Sequence, residues 1–273
     1  MLELEVKDFD LKQVLECGQV FRFEKISDTE YIILNKSNIA HCIQKASKLF
    51  ITSNNEDKSF WENYFDLNTD YRYIKEVLSK DKIMKQIITY GNGIHILRQD
   101  FEEMVISFIM SQNKQIPQIK QCIELYCKKF GEKISFQNKE YFSFPNIKNI
   151  PTLEELKKCK VGFRDKYLLD AITKINEGYF NNIKILSEKE QQEKLLTIKG
   201  IGPKVCNCIM LFGLNNTKRF PIDVWIKRKM QDLYFEGKEV SNLEIENKAK
   251  ELFGDFKGFA QQYLFYAGIS KVI

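Results

Sequence analysis

The amino-acid sequence predicts an α+β fold, mainly α-helical with a small N-terminal antiparallel β-sheet domain. Three observations lead there: four short β-branched and aromatic runs between about residues 19 and 53, helical periodicity that takes over after about Asp57, and a Gly-x-Gly turn between two helical segments near residues 187–214. The strand-like runs are QVFRFEKI, EYIILN, IAHCIQK and KLFITS, separated by SDT, KSN and ASK, the pattern of an antiparallel meander.

The helical part reads in order as KSFWENYFD, YRYIKEVLSK, DFEEMVISFIMSQ, QIKQCIELYCKKF, KYLLDAITKINEG, EKEQQEKLL, PKVCNCIMLFG, VWIKRKMQDLY and FAQQYLFYAG. Capping-box spacing marks helix starts at Asp100 with Glu103, Thr152 with Glu155 and Ser187 with Glu190, and glycines mark stops at Gly131, Gly178 and Gly213. Segment 131–151 is polar, aromatic and proline-bearing and reads as a connection. The expected division is an N-terminal domain with the sheet (1–85) and a helical region (86–273), the latter holding the hairpin (about 187–214) and an aspartate-led helix (about 221–235).

Composition excludes several classes. With 44% hydrophobic and 29% charged residues among 273, no uninterrupted apolar run reaches the roughly 20 residues a bilayer crossing needs, and MLELEVKDFDLK lacks the basic start and apolar core of a secretory signal. A cytoplasmic protein is expected, with no membrane partner. Seven scattered cysteines without a C-x-x-C pair make a disulfide framework, zinc site or iron–sulfur cluster a poor fit, and they read as small buried thiols. With only His41 and His95 besides, we expect chemistry without metal or cofactor. The net charge is only +5, but residues 197–230 hold seven basic residues against Asp223 alone. Such a concentration suits either a phosphate-binding face or a solvated helix face.

The stretch LTIKGIGPKVCNC supplies the chemistry. Gly200 and Gly202 turn the chain and Pro203 opens the second helix, so backbone N–H groups at a helix N-terminus can meet a phosphate oxygen; Ile201 would anchor the turn inward. Lys204 falls in that helix's first turn, where the dipole disfavours a cation and so favours a nucleophilic amine. Asp223, after Pro221, is a carboxylate at the next helix start, where the dipole favours its ionised form. Singly, each has an ordinary role, a solvated lysine or a helix cap. Together with the hairpin, 19 residues apart, they point to a nucleophile and its carboxylate partner.

LLTIKGIGPKVCNCIMLFGL followed by FPIDVW resembles the helix–hairpin–helix superfamily of DNA glycosylases, and within it the 8-oxoguanine DNA glycosylase branch. GIHILRQDFEEMVISFIMSQN, FPNIKNIPTLEELKKCKVGFRDKYLLDA, LECGQVFRF and FAQQYLFYAG resemble the same branch in order, so the similarity covers most of the chain. The resemblance implies the helix–hairpin–helix glycosylase fold, duplex DNA containing 8-oxoguanine as partner, a monomer associated with the nucleoid, and a bifunctional glycosylase and abasic-site lyase acting in base excision repair.

By position, the resemblance makes Lys204 the Schiff-base nucleophile and Asp223 the stabiliser of the oxocarbenium-like transition state. Gly18 would accept the extra N7 proton of the lesion through its carbonyl, Phe265 and Cys208 would face the two sides of the flipped base, Gln261 would read its Watson–Crick edge, and Phe212 belongs with them. Asn113 and Arg164 would fill the vacated space and meet the orphaned cytosine, with Phe163 as wedge. Gly200, Gly202 and Trp225 would meet backbone phosphate.

Two departures stand out. Gln118 occupies the place of a second arginine, which implies a relaxed opposite-base preference, and Trp225 replaces a histidine that contacts phosphate. The competing readings are a sister glycosylase for other oxidised bases, disfavoured by the missing cluster cysteines, and a non-catalytic hairpin module, disfavoured by the paired Lys204 and Asp223.

Overall fold

The structure, a computed structural model, describes residues 1–146 and 150–270. Strands β1 (Leu2–Glu5), β2 (Phe23–Lys25), β3 (Glu30–Asn35), β4 (Asn38–Lys45) and β5 (Lys48–Ser53) form one antiparallel sheet in the order β1-β5-β4-β3-β2. The four expected strands form the meander, and β1 adds to its far edge.

Tyr31 and Ile33 of β3, with Cys42 and Ile51, face a core that also holds Leu11, Val14 and Leu15 of helix α1 (Leu11–Glu16) and Trp61 and Tyr64 of α2 (Lys58–Tyr64). Alternate residues Ile32, Leu34 and Ile39 face the other way, onto Ile134, Phe136 and Tyr141. Burial on both faces explains the unbroken apolar run of EYIILN.

Those three covering residues correct the reading of segment 131–151 as a plain connection. Residues Lys133–Phe136 (β6) and Lys139–Phe142 (β7) make a two-stranded hairpin laid on the sheet. Its two-residue turn, Gln137–Asn138, holds both residues at positive φ (47° and 62°), the conformation strand twist favours in a tight hairpin. Residues 147–149 of that segment, and of the resemblance quoted above, lie outside the described residues.

Helices α3 (Tyr71–Leu78), α4 (Lys82–Tyr90), α5 (Phe101–Ser111), α6 (Ile116–Phe130), α7 (Leu153–Lys157), α8 (Asp165–Asn176), α9 (Glu188–Leu196), α10 (Pro203–Gly213), α11 (Val224–Tyr234), α12 (Asn242–Phe253) and α13 (Lys257–Ile269) build the rest. Their apolar faces merge into one large core, with α5 buried along most of its length. Thr152 and Ser187 start helices by reciprocal capping boxes, as expected, and Ser241 with Glu244 does the same for α12.

One boundary expectation needs correction. Asp100 does cap α5, accepting from the Glu103 N–H at 2.9 Å, but the Glu103 carboxylate does not reach back. It is buried and faces Arg22, 3.4 Å away, and accepts the Lys36 N–H at 2.8 Å; burial pushes this carboxyl up while Arg22 opposes the shift. Arg22 also donates to the Phe142 carbonyl at 2.5 Å, so one buried ion pair ties sheet, α5 and hairpin together. Gly213 ends α10, as expected, and a Cβ there would sit 3.1 Å from that of Met104. Its bareness lets α10 lie close against α5.

Candidate active site

Helices α9 and α10 form the expected helix–hairpin–helix. Gly200 takes φ +83°, and a Cβ there would come within 2.2 Å of the Tyr167 ring, so α8 packs directly on the turn. Asp170 of α8 accepts the Lys199 N–H at 2.9 Å and Lys174 donates to the Thr197 carbonyl at 3.1 Å, fixing it further. Ile201 is buried, as expected. Gly202, unlike Gly200, has a negative φ: it caps α10 at φ −95°, and a Cβ there would meet nothing within 4 Å. Its bareness leaves open space before the N-terminal amides of α10, where an anion is favoured. Part of the basic concentration is spent internally: Arg219 pairs with Glu188 at 3.2 Å and Lys218 with Asp255 at 3.4 Å.

Lys204, Asp223, Cys208, Phe212, Gly18, Gln261, Phe265 and Trp225 all line one cavity of about 340 Å³. The Lys204 Nζ stands 5.9 Å from the centroid of Phe108, whose ring stacks on Phe212 at 5.5 Å. Asp223 accepts the Ile226 N–H through Oδ1 at 2.8 Å, capping α11 with one carboxylate oxygen while the residue lines the cavity. Both reach the field of Cys208: burial pushes that thiol up, Lys204 beside it lowers it, and Asp223 raises it. The cysteine is therefore a neutral, apolar wall between charged neighbours. An amine and a carboxylate meeting in a cleft is an arrangement suited to attack on an electrophilic carbon with charge stabilisation alongside.

The opposite wall comes from the two ends of the chain. Gly18 takes φ +80°, and a Cβ there would lie 2.5 Å from Phe265 Cε1. Gln19 locks the loop that holds it, donating to the Val14 carbonyl at 2.9 Å and the His95 carbonyl at 2.7 Å while accepting the Leu97 N–H at 2.9 Å. Gln262 ties α13 to the same loop, donating to the Cys17 carbonyl at 2.5 Å. Its neighbour Gln261 also lines the cavity, and its buried Oε1 has no hydrogen-bond partner among the described residues. A buried amide left unpaired is costly unless a ligand completes it.

A second, more open cleft of about 1030 Å³ adjoins the first, and Lys204, Asp223 and Trp225 line both. It is lined by Asn113, at left-handed φ 48°, and by Gln118 and Gly202. Gln118 is engaged locally, its side-chain oxygen accepting the Gln115 N–H at 3.1 Å at the start of α6. Phe163, Arg164 and Gly200 line neither cavity. Phe163 is 58% exposed, but Arg164 is buried at 4%. Its guanidinium stacks 4.3 Å from the Phe163 ring and donates to the carbonyls of Val161, Gln112 and Asn113. In this state it braces the Asn113 turn rather than presenting donors outward. Trp225 is exposed at the mouth of both cavities.

Sequence reasoning missed several residues here. Phe108 lies under the Lys204 amine, Gln19 and Gln262 hold the Gly18 loop, and Lys114 lines both cavities. A polar pair, Gln261–Gln262, inside an otherwise apolar helix was the one available signal: both are buried, one aimed into the cavity and one holding its wall. All seven cysteines are buried free thiols, and among the described residues no group of three His, Cys, Asp or Glu is placed to hold a metal. No described helix is long and apolar enough to cross a membrane.

Comparison with known proteins identifies the family. Residues 1–105 match the sequence model of the 8-oxoguanine DNA glycosylase N-terminal domain. The crystal structure of Clostridium acetobutylicum 8-oxoguanine glycosylase/lyase with duplex DNA containing cytosine opposite 8-oxoguanine is 37% identical, with TM-score 0.93, covering 100% of this chain and 99% of that one. The same enzyme's apo-form gives 40% identity and TM-score 0.90 over 96% and 94% of the two chains. The N-glycosylase/DNA lyase of Saccharomyces cerevisiae is 25% identical, over 97% of this chain and 84% of its own length. Similarity across the whole length, joined to a lysine hairpin whose cavity is closed by both chain ends, makes this chain a member of the 8-oxoguanine DNA glycosylase/lyase family.

Proposed function

We propose that this chain removes 8-oxoguanine from duplex DNA and then cuts the strand, with Lys204 as nucleophile and Asp223 as its charged partner. The observation that carries the reading is the meeting of Lys204, Asp223, Gly18, Gln261 and Phe265, from four separate segments, in one cavity. A base inside the stack cannot be reached, so the lesion is turned out into that cavity. There Gly18 and Gln261 supply hydrogen-bonding groups at its edges, and Phe265 and Cys208 supply flat apolar walls.

As the glycosidic bond breaks, its electron pair leaves with the base, and positive charge develops on the sugar, where the Asp223 carboxylate stabilises it. The Lys204 Nζ forms a bond to C1′; ring opening then gives an imine. Loss of a C2′ proton expels the 3′ phosphate by β-elimination. The open space before α10 fits a backbone phosphate, and the protein acts as a nucleoid-associated cytoplasmic monomer. Residues 1–85 would serve as the domain that brings the Gly18 loop, and 86–273 as the region that carries the chemistry.

Borohydride trapping on an 8-oxoguanine duplex tests the assignment. Lys204→Gln abolishes the covalent adduct while duplex binding persists, with the steep salt dependence expected of phosphate contacts. Strand cleavage retained by that variant would refute the nucleophile.

A further inference from the structure

A cavity larger than the base pocket, about 620 Å³, opens between β2, β3, α6 and β7 and takes no part in the reading above. Phe21, Phe23, Tyr141 and Phe142 give it an aromatic lining, and Lys120 of α6 contributes an amine. Most of the charges around it are already engaged. Arg22 is spent on Glu103, Glu24 is held by Lys139 at 2.8 Å and the Tyr141 hydroxyl at 3.2 Å, and Glu140 by Lys133 at 2.6 Å. Lys120 instead rests its half-buried Nζ 3.2 Å from the Phe23 ring centroid and donates to the Phe23 carbonyl at 3.3 Å. Burial pushes its ammonium down to about 8, against a small opposite pull from Glu16. The ring face attracts the cation and offsets part of that shift.

We propose that this cavity is a second ligand site, in which Lys120 captures small, neutral aromatic carbonyl compounds as imines. An uncharged flat occupant suits the aromatic lining, since the charges of Arg22, Glu24 and Glu140 beside it are already paired. In the reaction the Lys120 nitrogen bonds to the carbonyl carbon, and both of its hydrogens leave with the carbonyl oxygen as water. Phe21 lines this cavity and the base pocket alike, and α6 supplies Ile119 to one and Lys120 to the other. A ligand held on Lys120 therefore presses on the wall of the base pocket and slows excision.

The test uses the full chain carrying Lys204→Gln, which removes the amine assigned to catalysis, treated at neutral pH with salicylaldehyde and cyanoborohydride, the latter delivering hydride to the imine carbon. Peptide mapping should show Lys120 alkylated at least about tenfold faster than the exposed Lys189, the larger neutral fraction outweighing the weaker intrinsic nucleophilicity of a less basic amine. Lys120→Arg should lose that label and stay folded. Equal rates at Lys120 and Lys189, or no label at Lys120, overturn the proposal. With Lys204 intact, treated wild-type protein should excise 8-oxoguanine at least about threefold more slowly than Lys120→Arg treated identically, judged against the usual spread of a modest binding change. Equal rates overturn the link through Phe21. The labelling arm needs no DNA, so its failure is separate from failure of the glycosylase reading.

Discussion

The Phe265 ring lies against the backbone of Gly18, so closely that a Cβ at Gly18 would approach Cε1 to 2.5 Å. These residues stand almost the full chain apart, yet each defines the other's environment. The glycine's φ of +80° turns its carbonyl out of any regular ladder, and its missing side chain lets the ring slide over the loop. This wall of the cavity beside Lys204 is thus one two-residue contact, braced by Gln19 on one side and Gln262 on the other.

Gly18→Ala should therefore harm base recognition more than sugar chemistry. A left-handed alanine costs about 1–2 kcal/mol, and the added methyl displaces the ring. Excision of 8-oxoguanine is expected to fall at least about tenfold in kcat/KM, the size of one lost pocket contact. Cleavage at a preformed abasic site, which has no base to seat, should change far less. Equal loss on both substrates would show that Gly18 shapes the catalytic amine instead.

The cap that Asp223 makes and the charge proposed for it in catalysis can be separated by substitution. Asn keeps the cap on the Ile226 N–H, now 2.8 Å, and removes the charge, whereas Ala removes both. Asp223→Asn should lower turnover by about 10²–10³, the range for loss of one preorganised electrostatic group, with thermal stability nearly unchanged. Asp223→Ala should lose similar activity and about 1 kcal/mol of stability besides. If the Asn variant keeps wild-type turnover, the carboxylate is only a cap.

How far the sequence spoke can be seen in particular elements. The meander and the long helices follow period, because their apolar faces are buried on one side or fully. The β6–β7 hairpin was hidden by its turn: Gln137–Asn138 adopts the two positive φ angles usually signalled by Asn-Gly, and glutamine rarely does so. Helix α1 has only Leu11, Val14 and Leu15 to show its period, too short a window to register. Strand β1 is an edge whose partner lies more than forty residues away, so nothing local marks it. Helix α12 is absent from the sequence reading although its Ser241–Glu244 box is spelled like the others. Lys204 and Asp223 were visible through hairpin and spacing, whereas Phe108 looks like any core aromatic until the fold sets it beneath the amine.

Gln118 sits in the open cleft but spends its side-chain oxygen on the Gln115 N–H, which leaves only its amide N–H groups for an orphaned base. Arg164 is likewise occupied by backbone carbonyls. Wild-type protein should excise 8-oxoguanine opposite all four bases with rates spread over no more than about tenfold, roughly one bidentate contact's worth of discrimination or less. Gln118→Arg should widen that spread in favour of cytosine. A wild-type preference for cytosine already far beyond tenfold would place the discrimination elsewhere, with Lys114 the next residue to vary.

The stability of the N-terminal half should carry a histidine signature. His95 is 2% exposed, stacked 3.7 Å from the Tyr71 ring and hydrogen-bonded through Nδ1 to the Phe65 carbonyl at 3.0 Å; burial holds its imidazolium down to about 4. The unfolded chain, with an ordinary imidazole, takes up the proton first as pH falls. Stability is thus complete above about pH 6.5 and is lost progressively as pH drops toward 4. Between pH 7.5 and 5 this one group should remove about 2 kcal/mol. Denaturant unfolding of wild type and His95→Gln at the two pH values measures it: the variant is less stable at neutral pH but loses less on acidification. Parallel losses in the two proteins would mean that a group other than His95 sets the acid limit; the buried Glu103, its carboxyl pushed up by burial, works in the opposite direction and is not that group.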